Sequence, residues 1–275
     1  MTNPQTTFQV TGGGGCTLAA YAAGPEDGAL IVGLHGIGQS ALAWSQLVDV
    51  APDKGWRLVT VDLRGHGDSD KPEDAYGDSG LWADDVAAVL EAAGATASRR
   101  ATLLGWSYGG AVMTDYLAQY GDTLVGAIVT LGATDKLGAP VGQYVQPGFA
   151  ALSKAIMKDD TGVVAGQLLD MCAATPLSPE RRESLLAEAV KCPAHVRNSM
   201  MRRTVDNDAA VAAFGGSALI THGSDDQMFS LALGEHWART ARNARLSVYD
   251  GAGHMPLWDD PSRFIAELTD IVAGQ

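Results

Sequence analysis

Residues 105–109 read Gly105-Trp106-Ser107-Tyr108-Gly109, directly after the apolar run Ala101-Thr102-Leu103-Leu104 and before Ala111-Val112-Met113. A Gly-x-Ser-x-Gly pentapeptide at a strand-to-helix junction is a tight turn that lifts a serine hydroxyl to the carboxyl end of a strand. Such a turn strains the serine backbone, and glycines two residues away on each side remove Cβ atoms that would collide. Alone, the pentapeptide does not separate a nucleophile from an incidental serine in a glycine-rich loop.

A serine hydroxyl is a poor nucleophile at neutral pH and needs a general base, which in turn needs an orienting carboxylate. Both residue types follow in suitable places. The short apolar run Ala218-Leu219-Ile220 leads into Thr221-His222-Gly223-Ser224-Asp225-Asp226, so two acids sit at another strand's end. Leu246-Ser247-Val248-Tyr249 reads as a further strand, followed by Asp250-Gly251-Ala252-Gly253-His254. His254 therefore lies on a glycine-flexed loop. The chain order is serine, acid, histidine.

These segments, with His35-Gly36-Ile37-Gly38 and Asp62-Leu63-Arg64-Gly65-His66-Gly67-Asp68-Ser69, each placed after a predicted strand, give the chain its likeness. It resembles the α/β-hydrolases over nearly its whole length, and within them the serine esterase and cofactor-free haloperoxidase (perhydrolase) branch. The resemblance implies an α/β fold with a mostly parallel eight-stranded sheet flanked by helices and an inserted helical cap. It also implies Ser107 as nucleophile, His254 as base and Asp226, rather than Asp225, as the orienting acid. The oxyanion hole falls to the backbone N–H groups of Tyr108, which opens a helix, and Ile37. Trp106, Ile37 and Met255, each next to one of these elements, are expected to border the substrate pocket.

The expected alternation of strands and helices begins with a hairpin over Phe8–Thr11 and Cys16–Ala22, joined by Gly12-Gly13-Gly14-Gly15. That glycine run lacks the lysine and following helix of a phosphate-binding loop and reads as a turn. Strands are expected over Ala29–Leu34, Arg57–Val61 and Leu124–Leu131. A helix over Leu81–Ala93 buries Trp82, Val86, Val89 and Leu90 and turns Asp84, Asp85 and Glu91 outward. The helix after the serine repeats that pattern through Val112, Tyr116 and Tyr120. The last helix opens at Asp260-Pro261 and buries Phe264, Ile265, Leu268, Ile271 and Val272.

Alternation fails only over residues 135–214, where helices are expected around 143–157, 161–173, 178–190 and 194–204 with no strand. The division is a core of residues 1–134 and 215–275 with a cap of residues 135–214 that excludes water and shapes the pocket. Met157, Met171, Met200, Met201 and Phe149 are candidates to face inward, or to pack the cap's own small core. Arg181-Arg182 and Arg202-Arg203 read as solvated helix faces, and His195, His35 and His222 as structural residues.

The chain has 275 residues, of which 46% are hydrophobic, and a formal charge of −13 from 19 basic and 32 acidic residues. Acidity argues against nucleic acid and anionic membranes as partners. Cys16, Cys172 and Cys192 are an odd set without paired spacing, which fits a reducing cytoplasm. The N-terminal residues lack a signal-peptide pattern, and no apolar run reaches membrane-spanning length. His66, Asp62, Asp68 and Asp70 offer metal-ligand types, but their spacing matches no calcium loop. They read as a packed turn, and neither metal nor cofactor is expected. The function implied is hydrolysis of a small carboxylic ester, lactone or thioester. Carbon–carbon bond hydrolysis, peracid formation and a catalytically silent receptor are the alternatives. A serine at 107, rather than aspartate, argues against epoxide-hydrolase and dehalogenase chemistry. Oligomeric state is left open.

Overall fold

A computed structural model describes residues 5–274. Its strands are β1 (Thr6–Thr11), β2 (Thr17–Ala23), β3 (Ala29–Leu34), β4 (Trp56–Val61), β5 (Ala101–Trp106), β6 (Val125–Leu131), β7 (Lys136–Leu137), β8 (Val205–Asp206), β9 (Ser217–Gly223) and β10 (Ala244–Tyr249). Eight of them form one sheet in the order β1-β2-β4-β3-β5-β6-β9-β10. The β1–β2 and β2–β4 pairings are antiparallel, and every other pairing in that sheet is parallel. The central strands β5 and β6 are buried along their whole length. That is the requirement of a parallel sheet covered on both faces, and it is why they read as unbroken apolar runs.

Helices α1 (Ser45–Lys54), α2 (Ser79–Ala92) and α3 (Tyr108–Tyr120) connect the first strands. Between β6 and β9 come α4 (Pro147–Ile156), α5 (Val163–Asp170), α6 (Pro179–Lys191), α7 (Ala194–Met201) and α8 (Asp208–Ala213). Then follow α9 (Leu231–Thr240), α10 (Pro256–Asp259) and α11 (Pro261–Ala273). In α11 Phe264 and Leu268 are fully buried, with Ile265, Ile271 and Val272 half-buried against the same core. Among the described residues no helix is long and apolar enough to cross a membrane.

The structure corrects several local expectations. The stretch 135–214 does contain strand: β7 pairs antiparallel with β8. Two residues are too short a run to carry a period-two pattern. Tyr120 lies exposed, its hydroxyl on Asp84, whereas Tyr116 is buried. Asp85 points inward, not outward. It accepts two hydrogen bonds, from Arg64 Nε at 2.6 Å and Nη2 at 2.7 Å, and a third from Gly13 N at 2.9 Å. A bidentate guanidinium can bring a carboxylate into the interior, which helical periodicity cannot foresee.

Candidate active site

Ser107 links β5 to α3 with φ +53°, the one non-glycine positive φ among the described residues. Three backbone bonds hold that conformation: Ser107 N donates to Leu131 O at 3.1 Å, while Gly110 N and Thr134 N donate to Ser107 O at 3.0 and 3.2 Å. The turn also presses α3 against the neighbouring strand, because a Cβ on Gly109 would lie 2.2 Å from Leu34 O. Strain concentrated at one residue and held by surrounding bonds is a mark of functional sites.

The acid and the imidazole meet. His254 Nδ1 donates to Asp226 Oδ2 at 2.8 Å, with both side chains buried. The other carboxylate oxygen, Oδ1, accepts from Met228 N at 2.7 Å and Phe229 N at 3.0 Å. Asp225 is exposed and accepts from the neighbouring Ser224 hydroxyl. Burial pushes the Asp226 carboxyl up, but the neighbouring His254 and its hydrogen bond, His222 and the Phe229 amide outweigh this and hold it below the usual carboxylate range. With Nδ1 donating to the carboxylate, the imidazole Nε2 is left as the acceptor. That atom is buried and has no protein partner among the described residues. Gly132 makes the pair possible: a Cβ there would stand 2.8 Å from His254 Nδ1 and 3.2 Å from Asp226 Oδ2. The sequence reading passed over Gly132, whose local context shows nothing of His254, 122 residues further along the chain.

Ser107 and His254 line one cavity together with Ile37 and Trp106. The loop carrying Ile37 abuts the serine, since a Cβ on Gly36 would lie 3.1 Å from Ser107 Cβ. Two neutral histidines brace this loop. His35 Nε2 accepts from Leu63 N and His66 Nε2 accepts from Gly38 N, both at 3.0 Å. Burial pushes the two imidazoles down to about 4 and about 3. Asp62, in the turn weighed as a metal candidate, accepts from Ala41 N at 2.7 Å and Asp68 N at 2.8 Å, and so ties the same turn together. His222 donates to Phe229 O at 3.2 Å, with its pKa lowered by burial.

A second cavity also reaches Ile37, Ser107 and Phe149. Val141, Val145, Met200 and Met201 give it apolar walls. Of the residues expected to face the pocket, Met157 and Met171 line neither cavity. Met255 is likewise a correction. It is fully buried, and its N–H donates to Cys172 O, which turns the residue after His254 into the core.

Arg203 departs furthest from the reading of a solvated face. It is buried, stacks over Trp82 and Tyr108, and donates to Tyr108 Oη and to Asp115. Arg202 alone stays exposed. Arg181 lies over the Trp258 ring and donates to Gln46, while Arg182 pairs with Asp170 near the surface. Gln39 and Arg197, which line the Ser107 cavity, were not singled out from sequence. The one available signal was the amide of Gln39 directly after Gly36-Ile37-Gly38.

Residues 29–261 match the family described as alpha/beta hydrolase fold. The esterase RhEst1 from Rhodococcus sp. ECU1013 superposes with a TM-score of 0.88 at 32% identity, over 97% of this chain and 98% of that one. The 2-hydroxymuconate semialdehyde hydrolase of Pseudomonas sp. (strain CF600) is 27% identical over 87% of this chain and 85% of its own length. The bifunctional esterase/perhydrolase DCH of Acinetobacter calcoaceticus is 27% identical over 84% of this chain and 87% of its own.

Proposed function

The chain belongs to the α/β-hydrolase family, and from that premise we propose that it is a serine hydrolase cleaving small carboxylic esters, lactones or thioesters through an acyl-enzyme on Ser107. The observation that carries this reading is the buried His254–Asp226 hydrogen bond, made beside the strained Ser107 with Nε2 left unpartnered in the same cavity. His254 Nε2 takes the Ser107 proton as Oγ attacks the carbonyl carbon. Asp226 stabilises the imidazolium that forms. The N–H groups of Ile37 and Tyr108 hold the oxyanion; Tyr108, first in its helix, has no intrahelical acceptor. His254 then returns the proton to the leaving alcohol, and water attacks the acyl-enzyme by the same route in reverse.

Residues 135–214 act in this reading as a cap inserted into the core of residues 1–134 and 215–275. Phe149 and Met200, from that stretch, stand beside Ser107 in the cavity walls and support the role. The three cysteines are free and buried, which supports a reducing, cytoplasmic setting. The relatives named for esterase/perhydrolase and semialdehyde-hydrolase activities favour peracid formation or carbon–carbon bond hydrolysis as second readings on the same triad.

The test is labelling with a fluorophosphonate, followed by turnover of a panel of esters, lactones and diketones. Rapid labelling that Ser107→Ala abolishes is expected, with ester hydrolysis fastest. Labelling that survives the substitution would refute the assignment.

A further inference from the structure

The Asp226 carboxylate faces two imidazoles. His254 Nδ1 donates to its Oδ2 at 2.8 Å, and His222 Nε2 stands 3.4 Å from the same oxygen. The second ring is 1% exposed and comes from β9, the strand that delivers the acid loop. Its Nε2 lies 3.2 Å from Phe229 O, a carbonyl that can only accept. The ring proton therefore sits on Nε2, and the positive end of that N–H serves the carbonyl beside the carboxylate. Burial lowers the imidazole pKa against the pull of Asp226 and keeps the ring neutral.

The contacts close a ring. Phe229 N donates to Asp226 Oδ1 at 3.0 Å, Phe229 O accepts from His222, and His222 faces Asp226 Oδ2. One imidazole thereby ties both ends of the segment 226–229, and with it the orientation of the carboxylate. Helix α9 packs directly against this ring, since a Cβ on Gly234 would lie 3.0 Å from His222 Cβ and 3.1 Å from its Nδ1. His222 lines neither cavity at Ser107, so its leverage on the reaction passes through Asp226.

We infer that His222 is a positioning residue for the acid–base pair: its Nε2–H locks the segment 226–229 and holds Asp226 Oδ2 where it orients His254. This inference rests on the proposed acyl-enzyme chemistry and adds a further side chain to its support. The acid stabilises an imidazolium that forms only on the way to the transition state, so a loosened carboxylate lowers kcat rather than raising KM. Phe229, which walls the second cavity, keeps its N–H bond to Asp226 and its bridge to Val145 without His222, so the pocket should hold its shape.

His222→Gln and His222→Asn carry the same amide, but only the longer side chain can place its nitrogen where Nε2 stands. With one ester, His222→Asn should lower kcat on the order of tenfold to a hundredfold with KM changed less than about threefold, and His222→Gln should recover most of that loss. Proton NMR of the resting protein reads the same pair without turnover. The far-downfield Nδ1–H signal of His254 should persist in His222→Gln and move or broaden in His222→Asn. Should thermal melts show His222→Asn unfolded, His222→Leu takes its place as the variant without a donor. Native kcat in the variant without a donor, a loss carried by KM, a loss in His222→Gln as large as in His222→Asn, or an unmoved His254 signal would overturn the inference. If no ester is turned over by the native chain, the hydrolase reading fails, and the NMR comparison still decides the role of His222.

Discussion

Arg203 donates a hydrogen bond of 2.8 Å to the phenol of Tyr108, the residue that follows the candidate nucleophile, across 95 positions of chain. The same guanidinium holds the buried carboxylate of Asp115, on the helix that Tyr108 opens, and reaches Ser79 Oγ at 2.8 Å. One side chain from the stretch between β6 and β9 thus fixes the start of α3, where an oxyanion donor would stand.

Arg203→Leu should lower stability by about 3–5 kcal/mol, because it strands the buried Asp115 charge. Urea unfolding measures this. The double variant Arg203→Leu with Asp115→Leu should recover most of the loss. In folded protein, Arg203→Leu should reduce kcat more than it raises KM, since it loosens a donor that acts on the transition state.

Asp226→Asn should leave the fold intact and cut kcat/KM on the order of a thousandfold or more, by spoiling the tautomer and the charge that stabilises an imidazolium. Asp225→Asn should change kcat/KM by less than about twofold, being exposed and on a neighbouring hydroxyl. Steady-state kinetics on one ester compares the two, and equal losses would contradict the choice of Asp226.

His35 and His66 lie edge to face with ring centroids 5.0 Å apart, both neutral because burial disfavours their charge. Their folded pKa values, about 4 and about 3, are below the unfolded value near 6.5, so the unfolded chain binds more protons between those limits. Stability should therefore fall as pH drops below about 6.5, with about 2 kcal/mol lost per histidine at pH 5. His66→Gln should be less stable at pH 7, yet lose less on acidification. Chemical denaturation at pH 7 and pH 5 measures both.

Arg64 and Asp85 form a buried ion pair that also holds the four-glycine turn, through Gly13 N and Gly13 O. Asp85→Leu alone should cost about 3–5 kcal/mol, and pairing it with Arg64→Met should bring stability back to within about 2 kcal/mol of the native chain. Thermal melts of the single and double variants check this.

Elements whose burial follows from their own residues were legible without coordinates. The apolar runs of β3, β5 and β6 and the Trp82-Val86-Val89-Leu90 stripe of α2 each declare one face or both to the core. So was the Ser107 turn, because strain and close approach demand glycines at fixed offsets. Asp85 and Arg203 were misread for the opposite reason: each is buried by a partner of opposite charge far away in sequence, which no local pattern encodes. Met255 was placed in the pocket by adjacency to His254, but the next residue on a chain commonly points the other way.

The sequence by itself determined the sheet, the hydrolase family and the short set of residues able to act as nucleophile, acid and base, because backbone strain and hydrophobic period are local properties. Tertiary structure alone decided the rest. It brought the Asp226 carboxylate, named beforehand only through the family resemblance, within 2.8 Å of His254 and left Asp225 exposed. It also gathered Gln39, Trp106 and Arg197 around one cavity. Such choices depend on distances between segments far apart along the chain, and those distances exist only once the sheet has formed and its loops have closed over it.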